Sequence, residues 1–95
     1  MAIVTLRYWA AAKQAAGVAE ETLTAETLGG ALAAALRARE QAAASGHPDP
    51  QATLRSVLAR SSFLVDGNPV GSRAPESVPL EGAAVVEVLP PFAGG

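Results

Sequence analysis

A chain of 95 residues has room for one domain, since domains run about 50–250 residues, and two independent cores would not fit. Hydrophobic residues make up 49% and charged residues 17%, so the chain can collapse and is no disordered polyampholyte, but 22 of the 47 hydrophobic residues are alanine, leaving 25 larger apolar side chains for a single layered core. The net charge of −2 argues against a nucleic-acid binder, which needs a basic patch, and the lack of cysteine excludes disulfides, thiolate metal sites and a catalytic Cys.

Residues 2–8 alternate at period two, with Val4, Leu6 and Tyr8 on one face and Ile3, Thr5 and Arg7 on the other, which predicts a strand. Residues 9–16 are alanine-rich and predict a short helix that Gly17 closes as its C′ residue. Residues 18–24 alternate weakly and predict a strand pairing back on the first. Thr27, or Thr24 for an earlier start, is placed to N-cap the main helix. Its Leu28, Leu32 and Leu36 recur every four residues and predict the core stripe, with Ala31 and Ala35 filling in. Gly29 and Gly30, in the first turn, suit a close helix–sheet approach, and the helix is expected to stop near Ser45-Gly46.

His47-Pro48-Asp49-Pro50 reads as a loop, and Leu54, Val57 and Leu58 predict a short amphipathic turn or helix over 51–60. Residues 62–66 predict a strand, and Asp66-Gly67-Asn68 a hairpin turn. Three prolines over 69–80 predict an irregular connection. Residues 83–89 form the last strand, whose valines on both faces predict a central, well-covered position, with Glu87 marking the less buried face. The sum is an α+β domain, with a mixed sheet under one main helix.

Several function classes drop out. His47 is the only histidine, which disfavours a multi-histidine metal site or a Ser–His–Asp triad. No apolar run nears the roughly 18–20 residues that span a bilayer. The N-terminus lacks the layout of a signal peptide, so a soluble, cytoplasmic protein with no membrane partner is expected. No phosphate loop or paired-carboxylate site stands out, so the chain is not expected to be catalytic by itself.

The chemistry is expected at the end of the chain. Pro90-Pro91-Phe92-Ala93-Gly94-Gly95 follow the last strand. The prolines lack N–H groups and hold φ near −65°, so they end the ladder and launch an extended arm. Phe92 is the arm's one anchor, able to enter a partner's pocket or fold back on the domain. Ala93, Gly94 and Gly95 taper to almost no side chain, which lets the backbone thread a narrow site. A carboxylate at Gly95 is ionised and a poor electrophile at neutral pH, so it carries nothing until activated, most simply by adenylation. Terminal Gly-Gly alone arises by chance in roughly half a percent of chains. Its place six residues beyond a final strand gives it weight.

Almost the whole chain resembles the ubiquitin-like β-grasp sulfur carriers of the MoaD/ThiS family, most closely the small subunit of molybdopterin synthase. The resemblance is carried by Tyr8-Trp9-Ala10-Ala11-Ala12-Lys13 leading to Gly17, Thr27-Leu28-Gly29 opening the helix, and Phe63-Leu64-Val65-Asp66-Gly67. Leu80-Glu81-Gly82 and the terminus Leu89-Pro90-Pro91-Phe92-Ala93-Gly94-Gly95 complete it, the Pro-Pro pair favouring the molybdopterin branch. Residues 41–53 and 71–79 look like surface insertions.

The resemblance implies a β-grasp domain over 1–89, a mixed four- to five-stranded sheet, and a carrier tail over 90–95. It also implies a cycle. An adenylating enzyme related to the ubiquitin-activating enzymes (MoeB-like) uses ATP to form a Gly95 acyl-adenylate, and a sulfurtransferase or cysteine desulfurase leaves a thiocarboxylate there. The tail then enters the large subunit (MoaE-like), which passes sulfur to a pyranopterin precursor. Gly95 is the attachment point, Gly94 a steric requirement, and Pro90, Pro91, Phe92 and Ala93 contact the partner. No metal and no permanently bound cofactor is implied. Alternatives are a carrier for thiamine or cysteine synthesis or tRNA thiolation, a ubiquitin-like protein modifier, and a β-grasp binding module with an incidental tail.

Elsewhere the bland readings lead. Lys13, the only lysine, reads as solvated, and Arg7, Arg55, Arg60 and Arg73 as scattered surface charges. Tyr8 and Trp9 are expected to cap the core edge, whereas an exposed Trp9 would mark an interface patch.

Overall fold

The computed structural model of the chain describes residues 1–39 and 50–91. The elements are β1 (Ala2–Tyr8), α1 (Ala10–Ala16), β2 (Glu20–Ala25), α2 (Leu28–Ala38), α3 (Pro50–Arg60), β3 (Ser62–Val65), β4 (Asn68–Pro69), a 3-10 turn (Pro75–Ser77) and β5 (Ala83–Leu89). The strands form one sheet in the order β2-β1-β5-β3-β4, with β1 and β5 parallel and every other pair antiparallel. This is the α+β β-grasp arrangement expected. The fifth strand is the two-residue β4, and Pro69 is tolerated there because β4 is an edge.

β1 forms as its alternation dictates: Ala2, Val4, Leu6 and Tyr8 are buried, as are Ala84, Val86 and Val88 of β5 beside them. The central position of β5 is as expected, and Glu87 lies on its less buried face. Val85 is 39% exposed and Ile3 57%, because α1, α2 and α3 all pack on the opposite side. Gly17 closes α1 at φ +81°, its N–H donating to the Lys13 carbonyl. The β3–β4 hairpin turns at Asp66 and Gly67, both at positive φ, as a type I′ turn requires. The Asp66 carboxylate also accepts from Val85 N–H at 2.9 Å, fastening the turn to β5.

Thr27 caps α2 by accepting from Gly30 N–H at 3.0 Å. The buried stripe of α2 is Leu28, Ala31 and Ala35, whereas Leu32 and Leu36, expected in the core, are only partly covered. The sheet lies so close that alanine fills the space on the inner face, and the two leucines turn aside. α2 is capped by Arg39, well before Ser45-Gly46, and the side chain of Arg39 folds back over the helix end. Ser45, Gly46 and His47-Pro48-Asp49 lie outside the described residues. α3 has eleven residues, as many as α2, and buries Leu54, Val57 and Leu58.

The close approach at Gly29 is real but not toward the sheet. A Cβ there would stand 3.0 Å from the backbone nitrogen of Glu76 and 3.1 Å from its Cα, so the glycine seats the 3-10 turn against α2. Residues 71–79 are thus no simple surface insertion: Val78 is buried, Leu28 N–H donates to its carbonyl at 2.9 Å, and Pro79 bridges Thr27. No described helix is long and apolar enough to cross a membrane.

Candidate functional site

Because β1 and β5 are parallel neighbours, they end side by side. Arg7 stands opposite Glu87 and Tyr8 opposite Val88, and Trp9 N–H donates to the Val88 carbonyl at 3.3 Å. The chain leaving β5 at Leu89 therefore departs next to Trp9. Pro90 is half-buried and Pro91 exposed. Neither has an N–H with which to extend the ladder. Phe92, Ala93, Gly94 and Gly95 lie outside the described residues, so what the structure places is the platform from which they leave.

That platform has a distinct surface. A cleft of about 820 Å³ is lined by Arg7, Trp9, Lys13, Gln14 and Glu20 among others. Trp9 is 45% exposed, which meets the condition for an interface patch, while Tyr8 is buried in the core. The Arg7 guanidinium lies 5.5 Å from the Trp9 ring centroid, a cation–π contact. Arg7 also pairs with Glu20 at 3.7 Å, an exposed contact that contributes little. The strand-to-helix turn is made at Ala10, whose φ of +48° is left-handed for a residue with a Cβ. Such a conformation costs about 1–2 kcal/mol and is found preferentially where a surface is used.

A polar lock lies beneath the cleft. The Tyr8 hydroxyl donates to the Glu21 carboxylate at 2.5 Å, and Arg39 pairs with the same oxygen at 2.8 Å. Arg39, itself buried, also donates to the carbonyls of Ala35 at 2.6 Å and Ala16 at 3.0 Å and lies 5.7 Å from the Tyr8 ring centroid. Burial, then the Glu21 carboxylate, push the Tyr8 hydroxyl far above its ordinary range, so it stays a proton donor at any physiological pH. The end of β1, the start of β2 and the C-terminal ends of α1 and α2 are tied together here.

On its uncovered side the sheet carries Ile3 and Val85, both exposed, with half-buried Leu64 and Leu89 nearer the departing chain. Sequence reasoning singled out Trp9 conditionally and missed its grouping with Arg7 and Lys13. The available signal was spacing, since Arg7 and Trp9 are two apart and Lys13 is one helical turn beyond Trp9.

No protein-family model matches the chain, and no curated protein matches it by sequence. Solved structures do share its fold. The small archaeal modifier protein 1 (SAMP1) of Methanosarcina acetivorans aligns over 100% of this chain and 98% of its own, with a TM-score of 0.73 and 21% identity. A chain from the complex of subunits 1 and 2 of the molybdopterin-converting factor of Helicobacter pylori aligns over 98% and 99%, with a TM-score of 0.61 and 20% identity. SAMP1 of Haloferax volcanii aligns over 98% and 99%, with a TM-score of 0.63 and 18% identity.

Proposed function

We propose that the chain is a ubiquitin-like sulfur carrier serving as the small subunit of molybdopterin synthase. One observation carries the reading: a β-grasp body whose central strand ends at Leu89, beside an exposed aromatic and basic cleft, and continues as Pro90-Pro91-Phe92-Ala93-Gly94-Gly95. The body presents the arm and the arm carries the chemistry. Attack of the Gly95 carboxylate on ATP in an activating enzyme gives an acyl-adenylate and pyrophosphate. A persulfide on a sulfurtransferase displaces AMP to give an acyl disulfide, and a second thiol cleaves its S–S bond, forming a disulfide with the sulfurtransferase sulfur and leaving the Gly95 thiocarboxylate. The arm then enters the large subunit, Phe92 seating in its pocket and Gly94 passing its narrowest point, and the sulfur moves to the pyranopterin precursor. Trp9, Arg7 and Lys13 form the docking face beside the arm's root.

The likeness to a chain from a complex of molybdopterin-converting factor subunits supports a large-subunit partner. The likeness to small archaeal modifier proteins supports a second reading, in which activated Gly95 is passed to a lysine of another protein. Intact mass spectrometry separates the two. Incubation with ATP, an activating enzyme and a sulfur source is expected to replace one oxygen of Gly95 by sulfur, and a chain lacking Gly95 stays unchanged. Isopeptide adducts without oxygen-to-sulfur exchange would favour the modifier, and no change at Gly95 under any condition would sink both.

A further inference from the structure

The half-buried Leu32 and Leu36 of α2 form one wall of a groove of about 440 Å³ between α2, α3 and the β3–β4 hairpin, with Phe63 and Val70 also lining it. Arg55 of α3 and Arg73 lie on its rim and are exposed. Arg73 is held in place, its Nε donating to the Val70 carbonyl at 3.0 Å and its Nη2 to that of Pro69 at 3.4 Å. No acidic side chain is among the described residues that line the groove, although the chain as a whole is net negative. Two of the arginines that look scattered in the sequence thus flank one apolar trough.

We propose that this groove docks an acidic amphipathic segment of a partner protein. Leu32 and Leu36 are one helical turn apart and match apolar side chains at the same repeat, the helix-in-groove mode. Carboxylates beside those apolar residues meet Arg55 and Arg73, which sets the partner's charge and steers its approach. A trough open along its length suits a peptide better than a small ligand, whose sites enclose most of its surface. Among the described residues the groove shares none of its lining with the Trp9 cleft, so both can be occupied at once. The proposal is independent of the carrier reading.

The test selects peptides from a random displayed library on the full chain, with counter-selection against the double variant Arg55→Glu/Arg73→Glu. Surviving peptides are expected to combine Asp or Glu with Leu, Ile or Phe at spacings of three and four. They should shift the backbone amide signals of Leu32, Leu36, Phe63 and Val70 and lose affinity about tenfold or more in the double variant, with losses growing at low salt. Leu36→Asp, checked for its fold by circular dichroism, should abolish binding with both arginines intact. Basic or uncharged winners, shifts confined to the Trp9 cleft, or no enrichment overturn the proposal. So does strong binding that appears only once residues 92–95 are deleted, since the chain's own end would then be the occupant.

Discussion

Replacing Arg39 by methionine tests the polar lock under the cleft most directly. Methionine keeps much of the packing of the stem and removes the guanidinium, which donates to Ala35 and Ala16 carbonyls at 2.6 and 3.0 Å and pairs with Glu21 at 2.8 Å. Breaking a buried ion pair on one side costs about 3–5 kcal/mol. Glu21 retains 22% side-chain exposure, so water recovers part of that, and the low end applies, about 3 kcal/mol. For a domain of this size that is roughly 12–24 °C in melting temperature. Lysine should rescue less than half of the loss, because one ammonium cannot serve three acceptors on three elements. Urea denaturation followed by circular dichroism at neutral pH gives the number. A loss below about 1 kcal/mol, or full rescue by lysine, would show that the lock is ornamental and that the cleft's floor is held by apolar packing alone.

Tyr8→Phe should change the alkaline behaviour. The folded state raises the Tyr8 pKa above its ordinary 10.0, so its stabilising contribution is complete below pH 10 and is lost as pH rises beyond it, by up to about 1.4 kcal/mol per pH unit. The urea midpoint of the parent should therefore fall faster than that of Tyr8→Phe above pH 10, and parallel curves would contradict the assignment. Gly29→Ala should destabilise by about 1–2 kcal/mol despite a gain in helix propensity, because the new Cβ meets Glu76 backbone atoms that cannot rotate away; stabilisation would mean the 3-10 turn is loosely seated. Ala10→Gly should stabilise by about 0.5–1 kcal/mol by relieving the left-handed φ at the strand-to-helix turn, read as a rise in thermal midpoint. If the turn's shape is what a partner reads, the same variant should bind more weakly.

Most of the fold was legible because its signals are local. The alternation of Val4, Leu6 and Tyr8, the Thr27 cap, the C′ position of Gly17 and the Asp66-Gly67 turn each follow from a residue and its near neighbours. The errors share a different cause. Whether Leu32 or Ala31 faces the sheet depends on how near the helix lies, and that distance is set by the whole core. Period-four leucines are therefore ambiguous between a buried stripe and a groove wall. The valines of β5 marked it as a central strand, and with every described helix on one side of the sheet Val85 is left to solvent. Arg39 showed nothing in sequence, since its partners Ala16, Glu21 and Ala35 are drawn from three elements. Of the candidate site, the residue types beside the arm were visible, while their convergence with Arg7 and Lys13 needed the parallel register of β1 and β5.

Among the described strands, the one that comes latest in the sequence, β5, sits in the middle of the sheet. Until it arrives, the β1–β2 pair and the β3–β4 hairpin have no strand between them, and each presents a bare edge. A nascent or truncated chain that stops short of Leu89 consequently has no keystone and cannot close its core. Any enzyme that recognises the assembled body before acting on the residues beyond β5 would thereby act only on chains in which that strand has been set in place.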